Sequence, residues 1–228
     1  MNIENNLNNV LERIDKAAYK AGRNPEEIDL VAVTKYVDSN TIMEAIDLGV
    51  VNIGENRVQE LRRKYAEVTK PVNWHFIGGL QSNKVKYIVD KIDLIHSLDR
   101  LSLAKEINKR GKAIDRIVPV LIQVNISKEP TKSGVFEEDI FSFMDSINDF
   151  EYIEVKGLMT MAPHTDDMEK TRPYFARMRK LSEKIKEQKY TNIDMEYLSM
   201  GMTNDFEVAI EEGANIIRIG RAIFDERM

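Results

Sequence analysis

A lysine, two arginines and a pair of glycine turns stand out in this 228-residue sequence because each closes or interrupts a short apolar run. Lys35 follows Leu30-Val-Ala-Val-Thr34. A lysine partly withdrawn from water loses its preference for the ammonium form, and the free amine condenses with a carbonyl carbon. Gly220 and Arg221 follow Ile216-Ile-Arg-Ile219, and Gly201 lies within Ser199-Met-Gly-Met-Thr203. Glycine turns that open a helix present backbone N–H groups without an acceptor, which suits a phosphate. Ser199 and Thr203 add hydroxyl donors. Arg218 interrupts an aliphatic run, and an arginine is a donor that keeps its proton. Opposite an aromatic ring nitrogen, it requires that nitrogen to be unprotonated.

These groups can act together only if the fold brings them to one place. β-Branched runs at residues 30–34, 50–53, 73–77, 94–97, 118–125, 152–159, 196–198 and 216–219 predict eight strands. Helical spacing over 42–48, 55–68, 83–90, 100–110, 137–148, 167–189 and 204–212 predicts seven intervening helices. An extra helix is expected over 3–21 and a short one over 222–226. Strict β–α alternation implies a parallel sheet covered by helices, an α/β fold. Eight such units close into a TIM-type (β/α)8 barrel, read here as a single domain over residues 1–228. An open, doubly wound sheet is the competing architecture. A barrel collects chemistry at the C-terminal ends of its strands, and the loops after strands seven and eight are its usual phosphate site. An amine for an aldehyde, donors for a phosphate and an arginine for a ring nitrogen then describe a pocket for pyridoxal 5′-phosphate. An aldolase-type lysine enzyme also combines a barrel, a lysine and a phosphate site.

Composition narrows the field. With no cysteine, the chain has no disulfide, thiolate metal site or cysteine nucleophile. Lys and Arg total 33 against 38 acids, a formal charge of -5 that disfavours general binding to a nucleic-acid backbone. No apolar stretch reaches the length of a membrane span, and the N-terminus lacks the basic start of a secretory signal. The expected location is the cytoplasm. His75, His96 and His164 are too scattered for a metal site. His75, on the third strand, reads equally as a neighbour of the ligand or as a core hydrogen-bonding group.

The stretches Val31-Ala-Val-Thr-Lys35, Gly54-Glu-Asn-Arg-Val-Gln-Glu60, Trp74-His-Phe-Ile-Gly78, Leu80-Gln-Ser-Asn-Lys84 and Ile122-Gln-Val-Asn125 resemble the pyridoxal phosphate homeostasis protein family. Further matches are Lys132-Ser-Gly134, Gly157-Leu-Met-Thr160, Leu198-Ser-Met-Gly-Met-Thr203 and Arg218-Ile-Gly-Arg-Ala-Ile-Phe224. The resemblance begins near residue 7 and keeps the motifs in order. These proteins are small relatives of the N-terminal barrel of alanine racemase. The resemblance implies Lys35 as the Schiff-base lysine, Arg218 as the pyridine-nitrogen partner, and Ser199, Gly220 and Arg221 as phosphate-binding positions. It also implies that Asn56 lines the cofactor pocket. Two positions depart from the pattern: Arg221 stands where the family usually has threonine, and Gly79 where many members have histidine.

The expected function is to hold pyridoxal phosphate on Lys35 for cofactor homeostasis or delivery, and so to serve amino-acid balance. Racemisation needs proton transfer on both faces of a carbanion, and Lys35 serves only one. The sequence ends at Met228, so the further β-domain that carries the opposing tyrosine in alanine racemase-like enzymes is not expected. The expected partners are the cofactor and apo-enzymes that receive it, with the protein a monomer or weak dimer, and neither nucleic acid nor membrane involved. The alternative is a pyridoxal phosphate-dependent enzyme such as a weak amino-acid racemase.

Overall fold

The computed structural model describes residues 2–129 and 131–224. Eight strands form the centre: β1 (Asp29–Val33), β2 (Asn52–Glu55), β3 (Asn73–Phe76), β4 (Leu94–Leu98), β5 (Val118–Gln123), β6 (Ile153–Met159), β7 (Ile193–Ser199) and β8 (Ile216–Ile219). All neighbouring pairs run parallel, and β8 returns to β1, so the sheet closes into the expected barrel in sequence order. Closure leaves no sheet edge and forces every crossover onto the outside.

The helices are α1 (Ile3–Lys20), α2 (Ser39–Asp47), α3 (Val58–Glu67), α4 (Leu101–Ala113), α5 (Ile140–Ile147), α6 (Arg172–Lys186), α7 (Phe206–Glu211) and α8 (Arg221–Phe224). Their starts follow local chemistry. The Asp38 carboxylate accepts from the Thr41 N–H at 3.0 Å, which begins α2 earlier than the apolar spacing indicates. Helix α3 begins at Val58, not at residue 55. Glu55 still belongs to β2, and Arg57 remains extended at φ −129°, ψ 128°. Residues 83–90 form no α-helix. A 3-10 helix at Ser82–Tyr87 joins β3 to β4 instead, with the Lys84 and Ile88 N–H groups bonded to the carbonyls of Gln81 and Val85. Strand β7 is longer than its apolar core implies because its outward residues are charged. Asp194 and Glu196 lie 3.7 and 3.0 Å from the Lys156 ammonium on β6. Residues 225 and 226 of the expected last helix lie outside the described residues.

Helix α1 precedes the barrel and packs on α7 and α8. Ile3, Leu7, Val10, Ile14, Ala17 and Ala18 recur every three or four residues and are all buried. Just beyond α1, the Arg23 guanidinium donates to the carbonyls of Ile210 (2.9 Å) and Ala214 (2.7 Å), tying the helix to the chain entering β8. Among the described residues, no helix is long and apolar enough to cross a membrane. We expect Leu7→Ala to cost about 3 kcal/mol in denaturant unfolding, because it empties a site that is 3% exposed. Unchanged stability would show that α1 is an appendage and not a support of the β8 end.

Candidate functional site

Val31, Leu94, Leu121, Met159 and Ile216 form a small buried cluster separate from the main core. They come from β1, β4, β5, β6 and β8, so they can meet only in the barrel interior. Side chains alternate along a strand, which puts Arg218 and His96 on the same inner side, one layer nearer the C-terminal ends. This layer is polar. The Arg218 guanidinium donates from Nη1 to Ser199 Oγ at 2.5 Å and from Nη2 to the Thr160 carbonyl at 2.9 Å. Ser199 Oγ lies 2.9 Å from His96 Nδ1, and His96 Nε2 lies 2.9 Å from His75 Nδ1. A chain of hydrogen bonds therefore crosses the interior from β8 through β7 and β4 to β3.

Burial sets the charge of this chain. Desolvation lowers the His75 pKa to about 4. It lowers His96 well below its usual range, with the positive charge of Arg218 adding to the effect. Both rings are neutral at pH 7. Burial also lowers Arg218, to about 10, which leaves it charged. Arg218 forms no ion pair among the described residues, and the acidic residues of the neighbouring segments are engaged elsewhere. Glu207 pairs with Arg13 at 2.8 Å, and Glu196 pairs with Lys156. The Asp205 carboxylate accepts from the Met202 N–H at 2.7 Å. Asp205 is pushed up by burial and held back by hydrogen bonding at Met202 and by the charge of Arg218. The interior thus carries one cation without a contact ion pair, engaged through two of its five N–H groups.

Above this layer, the ends of β7, β8, β1 and β2 form one continuous arc. Lys35 follows β1 and is exposed, so the partial burial expected of it is not found. Asn56 follows β2, and its buried Oδ1 has no hydrogen-bond partner. After β7 the chain turns at Gly201, whose φ is +92°. A Cβ there would lie 2.7 Å from that of Ala209, so only glycine lets this loop lie on α7. Thr203 is buried in the same loop. Gly220, after β8, comes so near β1 that a Cβ would stand 3.0 Å from the Val33 carbonyl oxygen. Arg221 begins α8 and is exposed. Lys35, Asn56, Gly201, Thr203, Gly220 and Arg221 therefore share one face of the barrel. Ser199 and Arg218 lie beneath them. Gly79 is exposed and follows β3, next along the sheet from β2.

Sequence reasoning set His96 aside and did not single out Glu55 or Lys64. The signal for His96 was its place two residues after Leu94, on the inward side of a strand. His75 takes the core hydrogen-bonding role that was one of its two readings. No periodicity marks Lys64, since charged residues on an amphipathic helix normally face water.

The fold is a closed (β/α)8 barrel with a polar layer in its interior. The sequence matches the family described as "Alanine racemase, N-terminal domain" over residues 5–227. It is 45% identical over 229 residues to the pyridoxal phosphate homeostasis protein of Aquifex aeolicus (strain VF5), covering 100% of this chain and 99% of that protein. A crystal structure of an unknown protein from Bifidobacterium adolescentis superposes with a TM-score of 0.93 at 37% identity, covering 97% of this chain and 94% of that one. PipY of Synechococcus elongatus, solved with PLP bound, gives 0.81 at 30% identity over 93% of this chain and 99% of that one. The chain belongs to the pyridoxal phosphate homeostasis protein family.

The histidine pair makes stability depend on pH. His75 takes up its proton near pH 4 when folded and near 6.5 when unfolded. Between these values the unfolded state binds more protons, so the stabilisation is complete above pH 6.5 and lost as pH falls toward 4. For His75 alone the loss approaches about 3 kcal/mol. Chemical denaturation at pH 7 and pH 4.5 should show a clearly smaller loss in His75→Gln than in the parent. Equal losses would mean that His75 titrates normally.

Proposed function

We propose that this protein binds pyridoxal 5′-phosphate as a Schiff base on Lys35 and holds it for cofactor homeostasis and delivery to apo-enzymes in the cytoplasm. The observation that carries the reading is the arc itself. An exposed primary amine at the end of β1 stands between the glycine turn and cation of β8 and the unpartnered amide oxygen after β2, above a buried guanidinium with unused donors. The cofactor is an aldehyde with a phosphate, a phenolic oxygen and a ring nitrogen, and each finds a group of suitable chemistry here. The relative solved with PLP bound supports the choice of cofactor.

The residues divide the work. Lys35 supplies the amine: its unprotonated Nζ adds to the aldehyde carbon, and the carbonyl oxygen leaves as water, with no change of oxidation state. Gly201, Thr203, Gly220 and Arg221 receive the phosphate through backbone N–H groups, a hydroxyl and a cation. Asn56 lines the opposite side. Ser199 acts through Arg218, whose Nη1 it engages. Arg218 offers only donors, so it pairs with a ring nitrogen in its unprotonated form. That form is a poor acceptor of electrons from a substrate carbon, and this favours holding the cofactor over turning over amino acids.

Adding pyridoxal phosphate to the purified protein should produce an imine absorbance band, and Lys35→Ala should abolish it while circular dichroism stays unchanged. Alanine incubated with the loaded protein in D2O should retain its α-proton. A band that survives in Lys35→Ala removes the lysine from this role, and Lys35-dependent exchange would make the protein an enzyme.

A further inference from the structure

Directly behind Lys35 lies the one ion pair among the described residues with both side chains buried. Lys64 on α3 is 0% exposed and Glu55 at the end of β2 is 1% exposed, with Nζ and Oε1 2.6 Å apart. Exchanging such a pair for apolar residues is often neutral or stabilising, so stability alone does not explain its presence.

The contacts suggest another reason. Lys64 Nζ also donates to the Thr34 carbonyl at 2.7 Å, and Thr34 Oγ1 donates to Glu55 Oε1 at 2.6 Å. The Thr34 N–H donates to the Gly54 carbonyl at 3.0 Å. The same Thr34 carbonyl accepts from the Val37 N–H at 3.0 Å, closing a turn with Lys35 and Tyr36 at its two central positions. Tyr36 takes the left-handed φ of 65° and is 84% exposed. A non-glycine residue in that region costs about 1–3 kcal/mol and persists only where its surroundings over-determine it. Tyr36 has little packing to hold it there. The restraint comes from Thr34, whose N–H, carbonyl and hydroxyl are all engaged. Glu55 in turn precedes Asn56, so the pair reaches both strand ends that flank the amine.

We propose that Glu55 and Lys64 are positioning residues that fix the 34–37 turn and thereby hold the Lys35 amine in place for imine formation. This rests on the reading of Lys35 given above. Both act through Thr34, Lys64 at its carbonyl and Glu55 at its hydroxyl.

The test compares Glu55→Gln, Lys64→Met, the double variant and the milder Thr34→Val, each as the full chain. Melting temperature by circular dichroism reports folding, and titration with pyridoxal phosphate reports the imine band. Each single charge variant should lose stability, because the remaining group is left buried and less well paired. The double variant should recover much of that melting temperature yet form the imine about tenfold less readily, because the amine is no longer held. Thr34→Val should fall in between. A stability role alone predicts that band and melting temperature recover together. A folded double variant with the parent's titration curve overturns the proposal. If the double variant does not fold, the parent's curve in Thr34→Val does so. Absence of any band in the parent protein would instead overturn the Lys35 reading and this proposal with it.

Discussion

A guanidinium inside a barrel cannot escape its surroundings by giving up its proton, so the interior has to be built around it. Arg218 is 4% exposed and forms no ion pair among the described residues. Its immediate contacts are a hydroxyl and a carbonyl, both acceptors, and beyond the hydroxyl stand two histidines that burial keeps neutral. Neutral rings add no second cation to the layer. The remaining positive field favours an anionic ligand at the strand ends above, where Lys35 and Arg221 add to it. The inner aliphatic layer below, from Val31 to Ile216, separates this charge from the opposite end of the barrel.

The rim is held by a different device. Close backbone approaches fix the loops after β7 and β8: Gly201 lies against α7, and Gly220 lies against Val33 of β1. Polar contacts fix the ends of β1 and β2, where the buried Glu55–Lys64 pair engages Thr34. Four neighbouring strands thus present an amine, an amide, a cation and glycine turns on one arc.

Much of this was legible in the sequence because barrels repeat. Alternating β-branched runs and amphipathic helices gave the eight units, and closure then specified which strand ends are neighbours. Lys35, Gly220 and Arg221 could be placed at strand ends by reading where apolar runs stop. The limits were equally physical. The early helix start assigned at residue 55 failed because Glu55 still belongs to β2 and the chain bends at Asn56 before α3 begins at Val58. The true length of β7 was hidden because Asp194 and Glu196 face outward to Lys156. Lys64 was invisible because its burial depends on a carboxylate nine residues earlier, reached only after the strand, the turn and the helix have formed. The foreseen burial of Lys35 did not occur, because the turn that carries it projects from the strand end.

The central claim is that the amine after β1, and no other, condenses with the cofactor. Reduction of the pyridoxal phosphate-loaded protein with borohydride, followed by peptide mass mapping, addresses it directly. The account predicts a single phosphopyridoxyl adduct on Lys35. An adduct on Lys84, Lys132 or another lysine in place of Lys35 would contradict it.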